Sequence, residues 1–146
     1  MSEVIPIGAD HAGFSLKERL KAELERLGYE PLDVGAHSAA SADYPDFAHA
    51  VASRVEHGDA ARGVLLCGSG LGMSYAANRH HGVRAAVAWA PEIARLSREH
   101  NDANVLVLPA RFVSEDEGVE ILRTWLDTEF EGGRHARRVA KIDQET

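Results

Sequence analysis

Five short apolar runs recur along the chain, with stretches of helical spacing between them, and no other feature narrows the fold as much. Val4-Ile5-Pro6-Ile7 is ended by Gly8, after which Phe14, Leu16, Leu20, Leu24 and Leu27 recur at helical intervals and Gly28 stands as the C-cap. Leu32 and Val34 flank Asp33 in a weaker second strand signal, and Asp46 is placed to cap a helix carrying Phe47, Val51 and Val55, closed by Gly58. Residues 63–67 read as a third strand, with a helix beginning over 73–78, and residues 83–89 read as a fourth. Pro91 suits the first turn of a helix with Ile93 and Leu96. Residues 105–108 are continuously apolar, as a buried parallel strand is, and Ser114 with Glu117 forms a capping box before Val119, Leu122 and Leu126. The tail GGRHARRVAKIDQET reads as a hinge and a short basic helix.

Strands that alternate with helices imply right-handed crossovers and a parallel sheet covered on both faces. The expectation is an α/β protein: a three-layer α/β/α, Rossmann-like fold with a five-stranded parallel sheet, one domain over residues 1–146, and a C-terminal helical arm over 131–146. Ligands of such sheets bind beyond the carboxyl ends of the strands. Polar clusters sit there: Asp10 and His11 after the first strand, residues 67–72 after the third and Arg111 after the fifth.

Composition removes several function classes. A net charge of −7 argues against nucleic acid or an anionic membrane as the main partner. A single Cys excludes an internal disulfide framework and fits a reducing compartment. The opening MSEVIPIGAD turns polar too soon for a signal peptide, and no apolar run nears the ~20 residues of a membrane span. The expected location is the cytoplasm.

The chemistry concentrates in CGSGLG. Gly68, Gly70 and Gly72 allow backbone N–H groups to converge ahead of a helix, a nest for a phosphate or oxyanion; the plain alternative is a tight strand-to-helix turn. The spacing fits neither a dinucleotide fingerprint nor a Walker loop. Cys67 is either one more buried structural cysteine or, facing those N–H groups, a thiol of lowered pKa able to act as nucleophile or base. His11 and His100 lie at element boundaries beside polar groups, where capping or surface roles are also common. No C-x-x-C or H-E-x-x-H occurs, so no metal is expected. Arg134 and Arg138 share a helical face, which is either a solvated basic surface or a grip for one phosphate.

Taken in order, GADHAGFSLK, DYPDFA, CGSGLGMSYAAN, RLSREHNDANVLVL and FEGGRHARR resemble the type B ribose-5-phosphate isomerases, within the wider family of allose- and galactose-6-phosphate isomerases. The resemblance runs from about residue 5 to 142. It implies interconversion of aldose and ketose phosphates without metal or cofactor, through an enediolate, as in the pentose phosphate pathway. The base at C2 is then Cys67; a second branch of the family has glycine there and a glutamate at the position of Met73. His100 matches the ring-opening histidine, with Asn101 beside it. Asp10 and His11 match substrate contacts, and Arg111, Arg134 and Arg138 match the phosphate arginines. On this basis Gly68, Ser69, Gly70, Leu71 and Gly72 form the oxyanion loop, with Ser69, where many relatives carry threonine, as a proton shuttle. Tyr44 lines the pocket, and Asp10 either steers sugar hydroxyls or caps the first helix. The family also implies a homodimer, sometimes paired into tetramers, with sites shared between subunits. The competing classes are an isomerase of a six-carbon sugar phosphate, a non-catalytic sugar-phosphate binder and a thiol redox protein, and the last lacks a resolving cysteine here.

Overall fold

Alternation of apolar strands with amphipathic helices produces one sheet between two helical layers. The computed structural model describes residues 2–145, so the ends of the expected domain, Met1 and Thr146, lie outside the described residues. The strands are β1 Val4–Ala9, β2 Glu30–Gly35, β3 Gly63–Cys67, β4 Ala85–Val87 and β5 Val105–Pro109, all parallel, in the order β2-β1-β3-β5-β4. A 3₁₀ turn, His11–Gly13, leads into α1 Phe14–Arg26; the other helices are α2 Tyr44–Glu56, α3 Leu71–Ala77, α4 Pro91–Glu99, α5 Glu115–Asp127 and α6 Arg134–Ala140.

The pleat of β3 divides the core. Val64 and Leu66 join Ile5, Ile7, Leu106 and Leu108 under α1, α4 and α5, around Leu20, Leu24, Ala94, Leu122 and Trp125. Leu65 and Cys67 turn the other way, with Val105 and Val107, to meet Val51, Met73 and Ala77 of α2 and α3. Successive side chains of a strand face opposite layers, so a strand covered on both sides must be apolar throughout.

Three elements differ from the sequence expectation, and the smallest difference is that α3 starts at Leu71, two residues before the expected 73. Helix α2 starts at Tyr44 with Asp43 as N-cap, and Pro45 opens it, so Asp46 lies inside the first turn rather than at the cap. Pro supplies the preset φ and no N–H at a position where none is needed. Strand β4 is three residues, not seven: just before it the Arg84 N–H bonds the Asn104 side chain (2.8 Å), and Asn78 covers the free edge by bonding Ala85 N–H (2.8 Å) and Ala85 C=O (3.0 Å).

Strand β2 is tied to α1 by charge, while its Val34 packs against the core cluster under α2. Lys17 of α1 is fully buried and donates to Asp33 Oδ1 (2.7 Å), Asp33 Oδ2 (2.8 Å) and the Ala36 carbonyl (2.5 Å). Burial raises the Asp33 carboxyl pKa, but the Lys17 and Lys21 ammonium groups and the Gly35 N–H outweigh it and hold it at about 2.

Candidate active site

Chain order dictates where a ligand can sit. From β1 the chain crosses outward to β2, then returns to place β3 on the other side of β1. The crossovers diverge between the carboxyl ends of β1 and β3, and that crevice is the switch point of an open parallel sheet. Ala9 pairs with Leu66, and the Asp10 N–H donates to the Leu66 carbonyl (3.2 Å), which sets Asp10 beside Cys67.

The loop after β3 is built around the thiol. Gly70 has φ +80°, a backbone state that L side chains rarely adopt, and a Cβ there would press on Val87 at 3.1 Å. A Cβ on Gly72 would lie 2.5 Å from the Tyr44 ring, so this glycine lets Tyr44 close over the loop. Ser69 is exposed, and its hydroxyl accepts from the Leu71 N–H at 3.2 Å. The Ala110 N–H donates to Cys67 O (2.8 Å) and the Arg111 N–H to Gly68 O (3.0 Å), which lays the Arg111 guanidinium over Gly68.

The thiol departs from expectation in one respect. Cys67 is 5% exposed, and burial raises its pKa; the N–H groups of Met73, Gly70 and Ser69 favour the thiolate without cancelling that penalty, and the Asp10 charge adds to it. The N–H groups and the helix start are legible in the sequence, whereas the apolar packing beneath the sulfur is a property of the fold. Asp10 does cap: its Oδ1 accepts from Ala12 N–H (3.0 Å) and Gly13 N–H (3.2 Å). His11 Nδ1 accepts from the Ala42 N–H at 3.4 Å, tying the segment before α2 to this edge.

Cys67, the loop 68–72, Asp10, His11, Tyr44 and Arg111 therefore share one edge of the sheet. His100, Asn101, Arg134 and Arg138 do not join them. Helix α4 runs from the carboxyl end of β4 back to the amino end of β5, and the Gly63 N–H donates to Asn104 O (2.9 Å) at that far edge. From Gly63↔Val105 to Cys67↔Pro109 the pair spans about 13 Å at ~3.3 Å per residue, so His100 and Cys67 of one chain lie at opposite ends of the sheet.

The arm collects at the His100 end. Gly132 and Gly133 have φ +70° and +55° and turn the chain into α6, while the Glu131 N–H donates to Glu99 O at 3.0 Å. The His100 ring stacks on that of His135 at a centroid distance of 4.3 Å and an angle of 13°. Glu131 Oε1 lies 3.9 Å from His100 Nε2 and 3.4 Å from His135 Nε2. Glu131 and His135 were inside a recognised motif yet unassigned; their i, i+4 spacing across a double glycine was the available signal. This trio is the cluster of possible metal ligands among the described residues, but near-parallel rings hold their lone pairs side by side, and joint coordination would require one ring to leave the stack.

Beside the loop lies a hollow of about 470 Å³ lined by Ser69, Leu71, Val87, Trp89, Pro109 and Phe112. Leu71, Trp89 and Phe112 are 50%, 57% and 74% exposed, an apolar rim on the edge that carries Cys67.

The fold and this edge define a class: a parallel α/β protein with a buried thiol inside a glycine nest at the switch point. Residues 5–142 match the family described as Ribose/Galactose Isomerase. The chain is 44% identical to ribose-5-phosphate isomerase B of Escherichia coli K12, over 94% of this chain and 93% of that one. The solved ribose-5-phosphate isomerase B of Clostridium thermocellum superposes with a TM-score of 0.95 at 50% identity, covering 97% of this chain and 95% of that one. The Mycoplasma genitalium enzyme, solved with bound ribulose-5-phosphate, gives 0.94 at 41% identity over 99% and 96%. The chain belongs to the ribose/galactose isomerase family.

Proposed function

We propose that the chain interconverts ribose 5-phosphate and ribulose 5-phosphate, with Cys67 as the base that moves a proton between C2 and C1. The observation that carries this reading is the convergence of a thiol and backbone N–H groups at a switch point, in a chain 44% identical to a ribose-5-phosphate isomerase. A proton next to a carbonyl becomes removable when the developing enediolate oxygen meets preset donors, each typically worth ~3 kcal/mol. Cys67 takes the C2 proton, the loop 68–72 receives the oxygen's charge, and Ser69 passes a hydroxyl proton between O1 and O2. Arg111, Arg134 and Arg138 hold the phosphate.

Ring opening comes first for the closed sugar. The C1–O4 bond breaks with its electrons going to O4, O4 gains a proton, and the anomeric hydroxyl loses one to become the C1 carbonyl. His100 serves this exchange, with Asn101 beside it. Since His100, Arg134 and Arg138 stand at the far end of their own sheet, they act in the site of a second copy. The exposed apolar rim of Leu71, Trp89 and Phe112 offers that copy a surface to cover. The assembly is therefore a homodimer with shared sites, and a lone free thiol suits a reducing cytoplasm.

The test is a coupled assay of the purified protein on ribose 5-phosphate, ribulose 5-phosphate and allose 6-phosphate. Ribose 5-phosphate is expected to have the higher kcat/KM of the two aldoses. A clear preference for allose 6-phosphate would replace the substrate and leave the mechanism, and no turnover of any would leave only a binder.

A further inference from the structure

We propose that Glu131 and His135 are positioning residues for His100, holding its ring in one orientation with Nε2 turned toward the Glu131 carboxylate. This rests on the reading of His100 as the ring-opening group. An imidazole at the end of a helix has little to fix it: the His100 N–H closes α4 on Leu96 O (3.0 Å), while the side chain is 40% exposed. Among the described residues no hydrogen bond holds that ring, and rotation about its two side-chain torsions would scatter its nitrogens. A misplacement of about 1 Å in a reacting group costs on the order of 100-fold.

Two features of the arm remove that freedom. His135 has a side chain only 11% exposed, and its ring, fixed by that burial, provides the surface on which His100 lies nearly flat. Glu131 faces the Nε2 atoms of both rings, and its own backbone N–H is bound to Glu99, the residue before His100. The carboxylate is thus anchored to the helix end it serves. With Oε1 3.9 Å from His100 Nε2, that carboxylate limits the turns the ring can take on the face of His135. The double glycine makes the geometry reachable, because Gly132 and Gly133 turn the chain so that Glu131 and His135 meet the same ring.

A purely structural role would look different. If Glu131 and His135 only seated the arm, their loss would loosen Arg134 and Arg138 and weaken the hold on every substrate's phosphate. The two cases separate on substrates that do and do not need ring opening. Ribulose 5-phosphate is acyclic, since the oxygen that would close its ring carries the phosphate, so exchange of its C1 proton with solvent deuterium needs only the base.

The experiment measures ribose 5-phosphate turnover and this exchange for His100→Ala, Glu131→Gln, Glu131→Asp, His135→Phe and His135→Ala in the full-length protein. Glu131→Gln is expected to lower kcat on ribose 5-phosphate by about 10-fold or more, with KM and the exchange rate within about 2-fold of wild type. Glu131→Asp restores part of the loss. His135→Phe, which keeps a flat ring, loses less than His135→Ala. Should His135→Ala unfold the arm, the exposed Glu131 pair decides alone. Equal losses in turnover and exchange, or a raised KM at unchanged kcat, overturn the positioning role. If His100→Ala itself shows no split, the ring-opening assignment falls and this inference with it; a split there without one in the Glu131 variants removes the inference alone.

Discussion

The proposed chemistry rests on two side chains, Cys67 and His100, and the environment of Cys67 makes the sharper statement. A thiol raised by burial and only partly relieved by N–H groups is a strong base that is scarce at neutral pH. Its alkylation by iodoacetamide in the free protein should therefore reach half-maximal rate above the ordinary thiol range of about 8.5. The acid limb of kcat/KM should climb through the same region, since the thiolate fraction grows as pH rises toward the raised value. A midpoint near 7 would show that the N–H groups win over burial. Cys67→Ser keeps the loop's shape and should lower turnover by about 10²–10⁴-fold, the usual worth of a positioned base. Binding should survive, measured by calorimetry, and deuterium exchange at C2 should disappear with turnover. Normal exchange in that variant would identify another base. Cys67 was singled out in the sequence because it stands where an apolar run meets three glycines. Its raised pKa was not legible, because it depends on Met73, Val107 and their neighbours closing beneath the sulfur.

The elements hold these groups through a few specific contacts. Gly72 lets Tyr44 lie over the loop, so Gly72→Ala should push the ring aside and lower kcat/KM by about 10-fold or more, as displaced site groups do. Tyr44→Phe in the same assay separates the ring's bulk from its hydroxyl. The link between α1 and β2 is ionic. Asp33 is 17% exposed at its side chain and pairs with a fully buried Lys17, so Asp33→Asn leaves that ammonium only Glu18 Oε2 at 3.8 Å as counter-charge and should cost about 3 kcal/mol in urea unfolding. The pH dependence has a definite sign: the folded pKa of about 2 lies below the ordinary ~3.9, so the contribution is full above pH ~4 and is lost as pH falls toward 2. A variant as acid-stable as wild type, with no loss at neutral pH, would contradict the pairing. At this scale the sequence was readable wherever periodicity was strong. Leu16, Leu20 and Leu24 announced α1, and Ser114 with Glu117 announced the start of α5, where both capping bonds form, at 3.0 and 2.8 Å. It was least readable where side chains stand in for strand partners: Asn104 accepts from the Arg84 N–H just before β4 and Asn78 covers Ala85 at its edge, and no spacing rule anticipates either.

For the molecule as a whole, the direction of α4 is decisive. Any right-handed β-α-β unit returns its helix to the far edge of the sheet, so a residue just after α4 cannot meet one just after β3 in the same chain. The resemblance names both groups of residues, but their separation within one chain is a property of topology. The arm makes the same point, since it lies on its own chain beside His100, with Gly82 N–H bound to Asp143 at 3.1 Å, yet stays far from its own Cys67. One measurement tests the shared site most directly. Cys67→Ala and the double variant Arg134→Ala with Arg138→Ala, each inactive alone, are mixed under conditions that exchange subunits. In a mixed dimer one site collects both lesions and the other collects none. Random mixing makes half the dimers mixed, so activity should return to about a quarter of wild type in a two-fold symmetric dimer. No recovery, with mixing proven by mass spectrometry of differently tagged chains, would place the arm and the thiol in the same site of one chain and contradict the account.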